Sequence, residues 1–195
     1  MIKPFEFYFD FASPYTFLAH KEIRKIEKEN SIKIKYKPVL LGGLLKSAGI
    51  KANTDIPIKA KYMIKDCKLW AEKNNVEFKF NNYFPIITIN LMRCVLVAEK
   101  KKFEEHFINK VFDAIWKDGL NLNDNVIVEK LLKNIDINPK KFLMEAVEPF
   151  IKNELKSRTD KAFKLGIFGA PSFLVNNKIF WGQDRLEFAI NEAKK

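Results

Sequence analysis

An alternating run of aromatic residues near the start of the chain constrains the fold most. Within the segment Pro4 to Phe11, a phenylalanine occupies every second position from Phe5 onward, with Glu6, Tyr8 and Asp10 between them. A period of two predicts a β-strand with the phenylalanines on one face and the other three residues on the opposite face. Ser13-Pro14 follows, a favoured N-cap residue before a proline suited to the first helical position, and apolar residues then recur at helical spacing toward Asn30.

A second strand follows this helix. Ile32 to Lys37 alternates apolar residues with lysines, and Pro38 ends the run. The chain therefore opens as β-α-β, whose crossover connection makes the two strands parallel.

The middle of the chain, from about 58 to 164, shows helical periodicity interrupted by Asn-, Gly- and Pro-containing segments, and we predict four or five helices there. The apolar residues expected on their core faces are Tyr62, Leu69, Trp70, Val95, Leu96, Phe107, Val111, Phe112, Ile115 and Trp116.

The end of the chain returns to strands. Ser172 to Val175 and Lys178 to Trp181 flank Asn176-Asn177, a pair suited to a two-residue hairpin turn, and a final helix follows Gly182. The order β-α-β, helical block, β-β-α predicts an α/β, thioredoxin-like fold with a large all-helical insertion between its halves. We expect 1–57 and 165–195 to form the thioredoxin-like domain and 58–164 the helical subdomain.

Charge and composition exclude several classes of protein. The formal net charge is +11, but only four of the 35 basic residues are arginines and the lysines are dispersed, which argues against a nucleic-acid reader. The positive field would instead attract small anions. No run of about 18 apolar residues is present, and the N-terminus lacks the pattern of a signal peptide, so we expect a cytoplasmic protein without a membrane partner.

The two cysteines match no known spacing for metal binding or redox chemistry. Cys67 and Cys94 lie far apart, and we interpret them as buried structural thiols. His20 and His106 are equally isolated. The sequence therefore predicts no metal site.

Three segments together are similar to a known family. Phe9 to Tyr15, Gly166 to Phe173 and Phe180 to Arg185 resemble, in residues and spacing, the 2-hydroxychromene-2-carboxylate isomerases. These enzymes are grouped with the kappa-class glutathione transferases among DsbA-like thioredoxin proteins. The resemblance covers essentially the whole chain, and it implies glutathione as cofactor, a small anionic aromatic substrate and a homodimer.

Ser13 is the catalytic residue that the resemblance implies. DsbA-type oxidoreductases carry Cys-x-x-Cys at the start of the first helix, whereas this chain has Ser13 to Thr16, without a thiol. Dithiol exchange at this point is excluded, because it needs a thiolate and a partner sulfur. In the family the matching serine hydrogen-bonds the sulfur of glutathione, and the helix N-terminus favours the thiolate. Taken alone, Ser-Pro at a helix start is ordinary capping chemistry.

The other two segments supply the implied binding residues. Ala170-Pro171 matches a cis-proline site whose backbone pairs with the cysteinyl part of glutathione, although it could simply be a tight turn. Gln183, Asp184 and Arg185 match the segment that holds the γ-glutamyl end; alternatively, Asp184 caps the last helix and Arg185 is solvated. Lys59 matches a lysine that faces the glycine carboxylate. The implied cofactor-binding residues are Lys59, Ala170, Pro171, Gln183, Asp184 and Arg185.

Two positions differ from the family pattern. Ile50 and Ile87 stand where relatives often have asparagine, so neither can donate the corresponding hydrogen bond, and Asn53 is a nearby replacement. In the reaction that the resemblance implies, a hydrogen-bond donor or cation would stabilise the enolate formed on the substrate. The candidates for this role are Lys37, Arg93 and Tyr83.

The implied activity is glutathione-dependent interconversion of 2-hydroxychromene-2-carboxylate and trans-o-hydroxybenzylidenepyruvate, or of a similar enone acid, as in aromatic compound degradation. Two alternatives stay open. One is a kappa-type glutathione transferase that releases the thiol adduct. The other is a non-catalytic thioredoxin-like module that has lost its redox pair and binds a small anion or a protein.

Overall fold

A four-stranded mixed sheet lies at the centre of the computed structural model, which describes residues 4–30 and 33–195. The strands are β1 (Glu6–Phe9), β2 (Lys35–Pro38), β3 (Ser172–Val175) and β4 (Lys178–Trp181), in the spatial order β2-β1-β3-β4. β1 runs parallel to β2, while β3 is antiparallel to β1 and β4. The predicted parallel pairing of the first two strands is confirmed.

Helices account for most of the remaining described chain. They are α1 (Pro14–Asn30), α2 (Leu41–Ala48), α3 (Pro57–Lys73), α4 (Ile89–Lys101), α5 (Glu104–Trp116), α6 (Asn125–Lys133), α7 (Pro139–Ala146), α8 (Pro149–Lys164) and α9 (Leu186–Ala193). The order confirms the predicted α/β, thioredoxin-like fold with helices inserted between the β-α-β and β-β-α halves. The division into a domain of 1–57 and 165–195 and a subdomain of 58–164 stays a prediction.

β1 is buried on both faces, which makes it the centre of the core. Phe7 and Phe9 are fully buried on the face covered by α1 and α5, where Phe9 packs against Phe112. Tyr8, on the opposite face, belongs to a smaller cluster with Val39, Leu44, Ala162 and Ile167. Because β1 is covered on both sides, the position of its last residue is fixed. The segment that follows this residue leads to Ser13.

The hairpin of β3 and β4 forms as the sequence predicts. Val175 pairs with Lys178, and both turn residues, Asn176 and Asn177, have positive φ angles of 46° and 62°. Asparagine tolerates this left-handed conformation better than most residues. The hairpin thus places the start of β3 beside the end of β4.

Several sequence-based expectations need correction. Six helices, not four or five, lie between 57 and 164 in the described chain, because two of them, α6 and α7, are short. Tyr62 and Leu69 are 62% and 52% exposed rather than core residues, since α3 buries its other face through Met63 and Cys67. The first strand is shorter than Pro4 to Phe11, and Ile32 of the second lies outside the described residues.

Candidate functional site

Ser13 caps the start of α1. Its Oγ accepts a hydrogen bond from the Thr16 N–H at 3.2 Å, and its carbonyl accepts the Phe17 N–H at 3.2 Å. Serine is a favoured N-cap residue, and Pro14 occupies the first helical position, where the absence of an N–H costs nothing. The side chain is nearly buried, at 5% exposure. The capping interpretation of Ser13 is therefore confirmed as one of its roles.

The same hydroxyl reaches across to the start of β3. Ser13 Oγ donates to the Ala170 carbonyl at 3.3 Å, and the Ala170–Pro171 peptide is cis, as predicted. The antiparallel pairing of β1 with β3 accounts for this proximity, because Tyr8 lies opposite Ser172. Three predicted site residues are thus brought together at one end of the sheet.

The turn after β4 lies at the same end. The Gly182 N–H donates to the Pro171 carbonyl at 2.9 Å, and residues 183–185 form a 3-10 turn that contacts α1. Gln183 is buried, whereas Asp184 and Arg185 are exposed and form an ion pair at 3.2 Å. Asp184 does not cap α9, which has Arg185 at its N-cap and no side-chain cap. The structure therefore brings this segment to the site, while its role in ligand binding stays a prediction.

Lys59 lies in the first turn of α3. It lines a cavity of about 420 Å³ together with Tyr15, Asn53, Ile58, Tyr62 and Met63. Tyr15 is two residues beyond Ser13, so this cavity borders the start of α1. None of the ion pairs between described residues includes Lys59, and its charge is available to an anionic ligand.

A buried carboxylate, Asp10, organises the segments around the site. It accepts hydrogen bonds from the Ala12 N–H at 3.0 Å, the Leu41 N–H at 2.8 Å and the Thr88 hydroxyl at 2.6 Å. These donors stand at or just before the starts of α1, α2 and α4. Burial raises the pKa of Asp10, and the three hydrogen bonds oppose this by stabilising the charged form. Asp10 therefore fixes the three helix starts relative to one another.

No thiol is available at the site. Cys67 on α3 and Cys94 on α4 are buried, and burial raises the pKa of each thiol to about 12. A thiol with such a pKa stays protonated near neutral pH and is a poor nucleophile. This agrees with the interpretation of both as structural residues. Among the described residues, no group of His, Cys, Asp and Glu side chains could hold a metal ion.

The remaining candidates are scattered. Lys37 pairs with Glu6 on the neighbouring strand at 3.1 Å, and Arg93 donates to Asn90 on its own helix. Neither these two nor Tyr83 is among the residues that line the cavity. Of the positions that differ from the family pattern, Ile50 and Ile87 are exposed.

Sequence reasoning missed two interactions. The alternation placed Asp10 on the strand face opposite the phenylalanines, whereas it lies just beyond β1 and is buried among three donors. Tyr15 belongs to a recognised segment, but its partner Asp66, which accepts from the Tyr15 hydroxyl at 2.8 Å, is 51 residues away. The signal available in the sequence for Asp66 was its position beside Cys67, on a predicted helix.

The fold and the site define a thioredoxin-like domain with a serine, rather than a cysteine, at the start of the first helix. The chain belongs to the DSBA-like thioredoxin domain family, whose model matches residues 5–192. It is similar to a 2-hydroxychromene-2-carboxylate isomerase of Sphingobium xenophagum, at 28% identity over 190 residues and 96% of each chain. It is also similar to glutathione S-transferase kappa 1 of Rattus norvegicus, at 24% identity over 93% of this chain and 87% of the relative.

Solved structures give the same result for the fold. A structure of 2-hydroxychromene-2-carboxylate isomerase matches with a TM-score of 0.86 at 21% identity, covering 95% of this chain and 91% of that one. A probable DsbA oxidoreductase from Streptomyces coelicolor matches with a TM-score of 0.74 at 14% identity, covering 98% and 89%. The predicted family and fold are confirmed, and the curated relatives are isomerases and transferases. No helix in the described part of the chain is long and apolar enough to span a membrane.

Proposed function

We propose that this protein is a glutathione-dependent isomerase that interconverts 2-hydroxychromene-2-carboxylate and trans-o-hydroxybenzylidenepyruvate, or acts on a similar enone acid. One observation carries the proposal: the start of α1 presents the Ser13 hydroxyl, not a thiol, beside the cis Ala170–Pro171 peptide. A site of this kind cannot exchange disulfides by itself, but it can hold the sulfur of a bound thiol. The isomerase and kappa transferase relatives support this direction.

The residues at the site fit glutathione. This tripeptide carries two carboxylates, an ammonium group and a thiol, so a matching site needs cations, an anion and a donor for sulfur. Lys59 offers an unpaired cation beside a cavity of about 420 Å³, and Ser13 offers the donor. Asp184 and Arg185 offer both signs of charge in the turn that contacts α1. We assign Lys59 to one carboxylate and Gln183, Asp184 and Arg185 to the γ-glutamyl end.

Ser13 would act by stabilising negative charge on sulfur. Its hydroxyl now donates to the neutral Ala170 carbonyl at a long 3.3 Å, and a hydrogen bond to an anion is about twice as strong as a neutral one. Rotation of the hydroxyl toward a thiolate would therefore be favourable. The start of α1 adds the positive end of a helix dipole to the same point.

Bound glutathione would supply a thiolate nucleophile that adds reversibly to a conjugated double bond, allowing rotation about that bond. The chain's task is to hold the thiol ionised and to keep the start of α1 fixed, which the buried Asp10 supports through the Ala12 N–H. The net charge of +11 favours the approach of an anionic substrate.

The alternative is a kappa-type transferase, favoured by the similarity to glutathione S-transferase kappa 1. One experiment separates the two: incubation with glutathione and the chromene acid, following the product spectrum and free thiol together. Isomerisation with constant free thiol supports the proposal, and stoichiometric thiol loss supports the transferase. Glutathione binding without either reaction, on the chromene acid or a general electrophile, would identify a non-catalytic module.

Two further expectations belong to this proposal. We propose a homodimer, which light scattering of the purified chain would test. We also propose that the protein works in the cytoplasm, without nucleic-acid or membrane partners, and fractionation of cells would test its location.

A further inference from the structure

A tyrosine–carboxylate hydrogen bond joins the start of α1 to α3 at the edge of the candidate site. The Tyr15 hydroxyl donates to Asp66 Oδ2 at 2.8 Å. Tyr15 is two residues beyond Ser13, and its ring also lines the cavity that contains Lys59. One side chain thus takes part in the cavity wall and in the contact between the two helices.

The same face of α3 carries Asp66 and the residues of the cavity wall. Lys59, Met63 and Asp66 are spaced by four and three residues, so they lie on one face of the helix. Met63 is buried and Asp66 is bound to Tyr15, whereas Lys59 stands in the exposed first turn. The orientation of Lys59 toward the cavity therefore depends on how this face is held.

The start of α3 is held by packing rather than by a cap, because Met63 is buried and the turn of residues 53–55 contacts the helix. Its N-cap residue, Ile56, provides no side-chain cap, and Ile58 and Tyr62 are 79% and 62% exposed. At the other end, the exposed Lys25 ammonium donates to the Asn74 carbonyl, which lies beyond the last turn. The Tyr15–Asp66 bond adds to this packing a directional contact between α1 and the third turn of α3.

We propose that Asp66 is a positioning residue, which acts through Tyr15 to hold the Lys59 face of α3 at a fixed distance from Ser13 and so sets the affinity for glutathione. This inference rests on the proposed function, because it assumes that glutathione spans Ser13 and Lys59. It assigns no chemical step to either residue of the pair.

The chemistry of the pair suits a fixed contact. Burial and the Asp66 carboxylate raise the pKa of Tyr15 far above its usual value, so the phenol keeps its proton. That single proton is directed to Asp66, and the hydroxyl also interacts with the Cys67 side chain, so it has no proton left to donate to a ligand. Tyr15 therefore remains a donor to Asp66 at neutral pH.

Calorimetric binding of glutathione to purified variants tests the proposal. Tyr15→Phe and Asp66→Leu each delete the hydrogen bond, and we expect each to raise Kd roughly fivefold, the effect of losing one ordinary hydrogen bond. The double variant should bind no worse than either single one, because both remove the same contact. Asp66→Asn loses the charge but keeps an acceptor oxygen, so it should retain near-normal affinity.

Tyr8→Phe is a matched control. It deletes a similar bond, from the Tyr8 hydroxyl to Glu6 at 2.7 Å, on β1 rather than at the cavity. It should lower thermal stability as Tyr15→Phe does, but leave Kd unchanged. Unchanged Kd in Tyr15→Phe, or equal losses in Asp66→Asn and Asp66→Leu, would overturn the positioning role.

Hydrogen exchange distinguishes a failure of the positioning role from a failure of the proposed function. If the unmodified chain does not bind glutathione, the proposed function is wrong. The proposal that the Tyr15–Asp66 bond holds α3 is then decided by amide exchange in residues 60–63, whose N–H groups are hydrogen-bonded in the helix. Faster exchange there in Tyr15→Phe than in Tyr8→Phe supports the role of Asp66 in holding α3, and equal exchange refutes it.

Discussion

Replacing Ser13 by alanine should separate two roles that one hydroxyl performs. The substitution removes the N-cap hydrogen bond to the Thr16 N–H and the donor that faces Ala170. Loss of such a cap costs about 1 kcal/mol, which in a chain of this length lowers Tm by about 2 to 4 °C. Loss of a hydrogen bond to an anion costs about 1.5 to 3 kcal/mol, which would raise the pKa of a bound thiol by roughly one to two pH units.

The assay is a pH titration of the thiolate absorbance of glutathione bound to each variant, alongside thermal unfolding. Asn138→Ala is the matched control, because the Asn138 side chain caps α7 by accepting from the Lys141 N–H at 3.1 Å. It should lower Tm by a similar amount without moving the pKa of the thiol. Ser13→Thr, which keeps a hydroxyl, should restore most of the pKa effect.

The reasoning would be refuted by a specific pattern. If Ser13→Ala and Asn138→Ala lower Tm equally and the bound thiol titrates identically in both and in the unmodified chain, Ser13 is a cap and nothing more. The start of α1 would then stabilise the thiolate through its N–H groups alone.

Three further predictions concern other parts of the structure. Trp116→Ala, which empties a fully buried site and removes the indole donor to the Phe11 carbonyl at 2.8 Å, should lower the free energy of unfolding by about 3 to 5 kcal/mol in urea titrations; a loss typical of surface substitutions would contradict it. Burial lowers the pKa of His20 to about 3, so NMR should find its imidazole neutral well below its usual 6.5. Since the unfolded chain takes up that proton more readily, stability should fall as pH drops through this interval. Gly182→Ala should displace Asp184 and lower Tm, because a Cβ at φ 111° would lie 2.5 Å from Asp184 Oδ1; a crystal structure with an unmoved turn would count against this.

Patterns with a short period made the sheet predictable. The alternation around Phe7 and Phe9 predicts a strand because successive side chains of a strand point to opposite faces of the sheet. The Asn176-Asn177 turn was equally clear, since few residues accept positive φ. At the site, the Ser13 cap followed from local residue order, whereas the cis peptide before Pro171 followed from the family resemblance.

Contacts between distant segments could not be predicted in the same way. Asp10 accepts from Leu41 and Thr88, and neither spacing has a periodic signature. The exposure of Tyr62 and Leu69 was missed because helical periodicity shows that a helix has two faces without showing which one a partner covers. Helix packing decides that question, and it depends on the whole chain.

The shared carboxylate of Asp10 has a consequence for building chimeras of this protein. A graft that replaced the segment between β2 and β3 with that of a relative would have to bring its own hydroxyl donor to the place of Thr88. A graft without that donor would leave the buried Asp10 carboxyl with one hydrogen bond fewer, at the start of the loop that leads to Ser13. In this chain the donor at position 88 and the acid at position 10 would therefore have to be exchanged together.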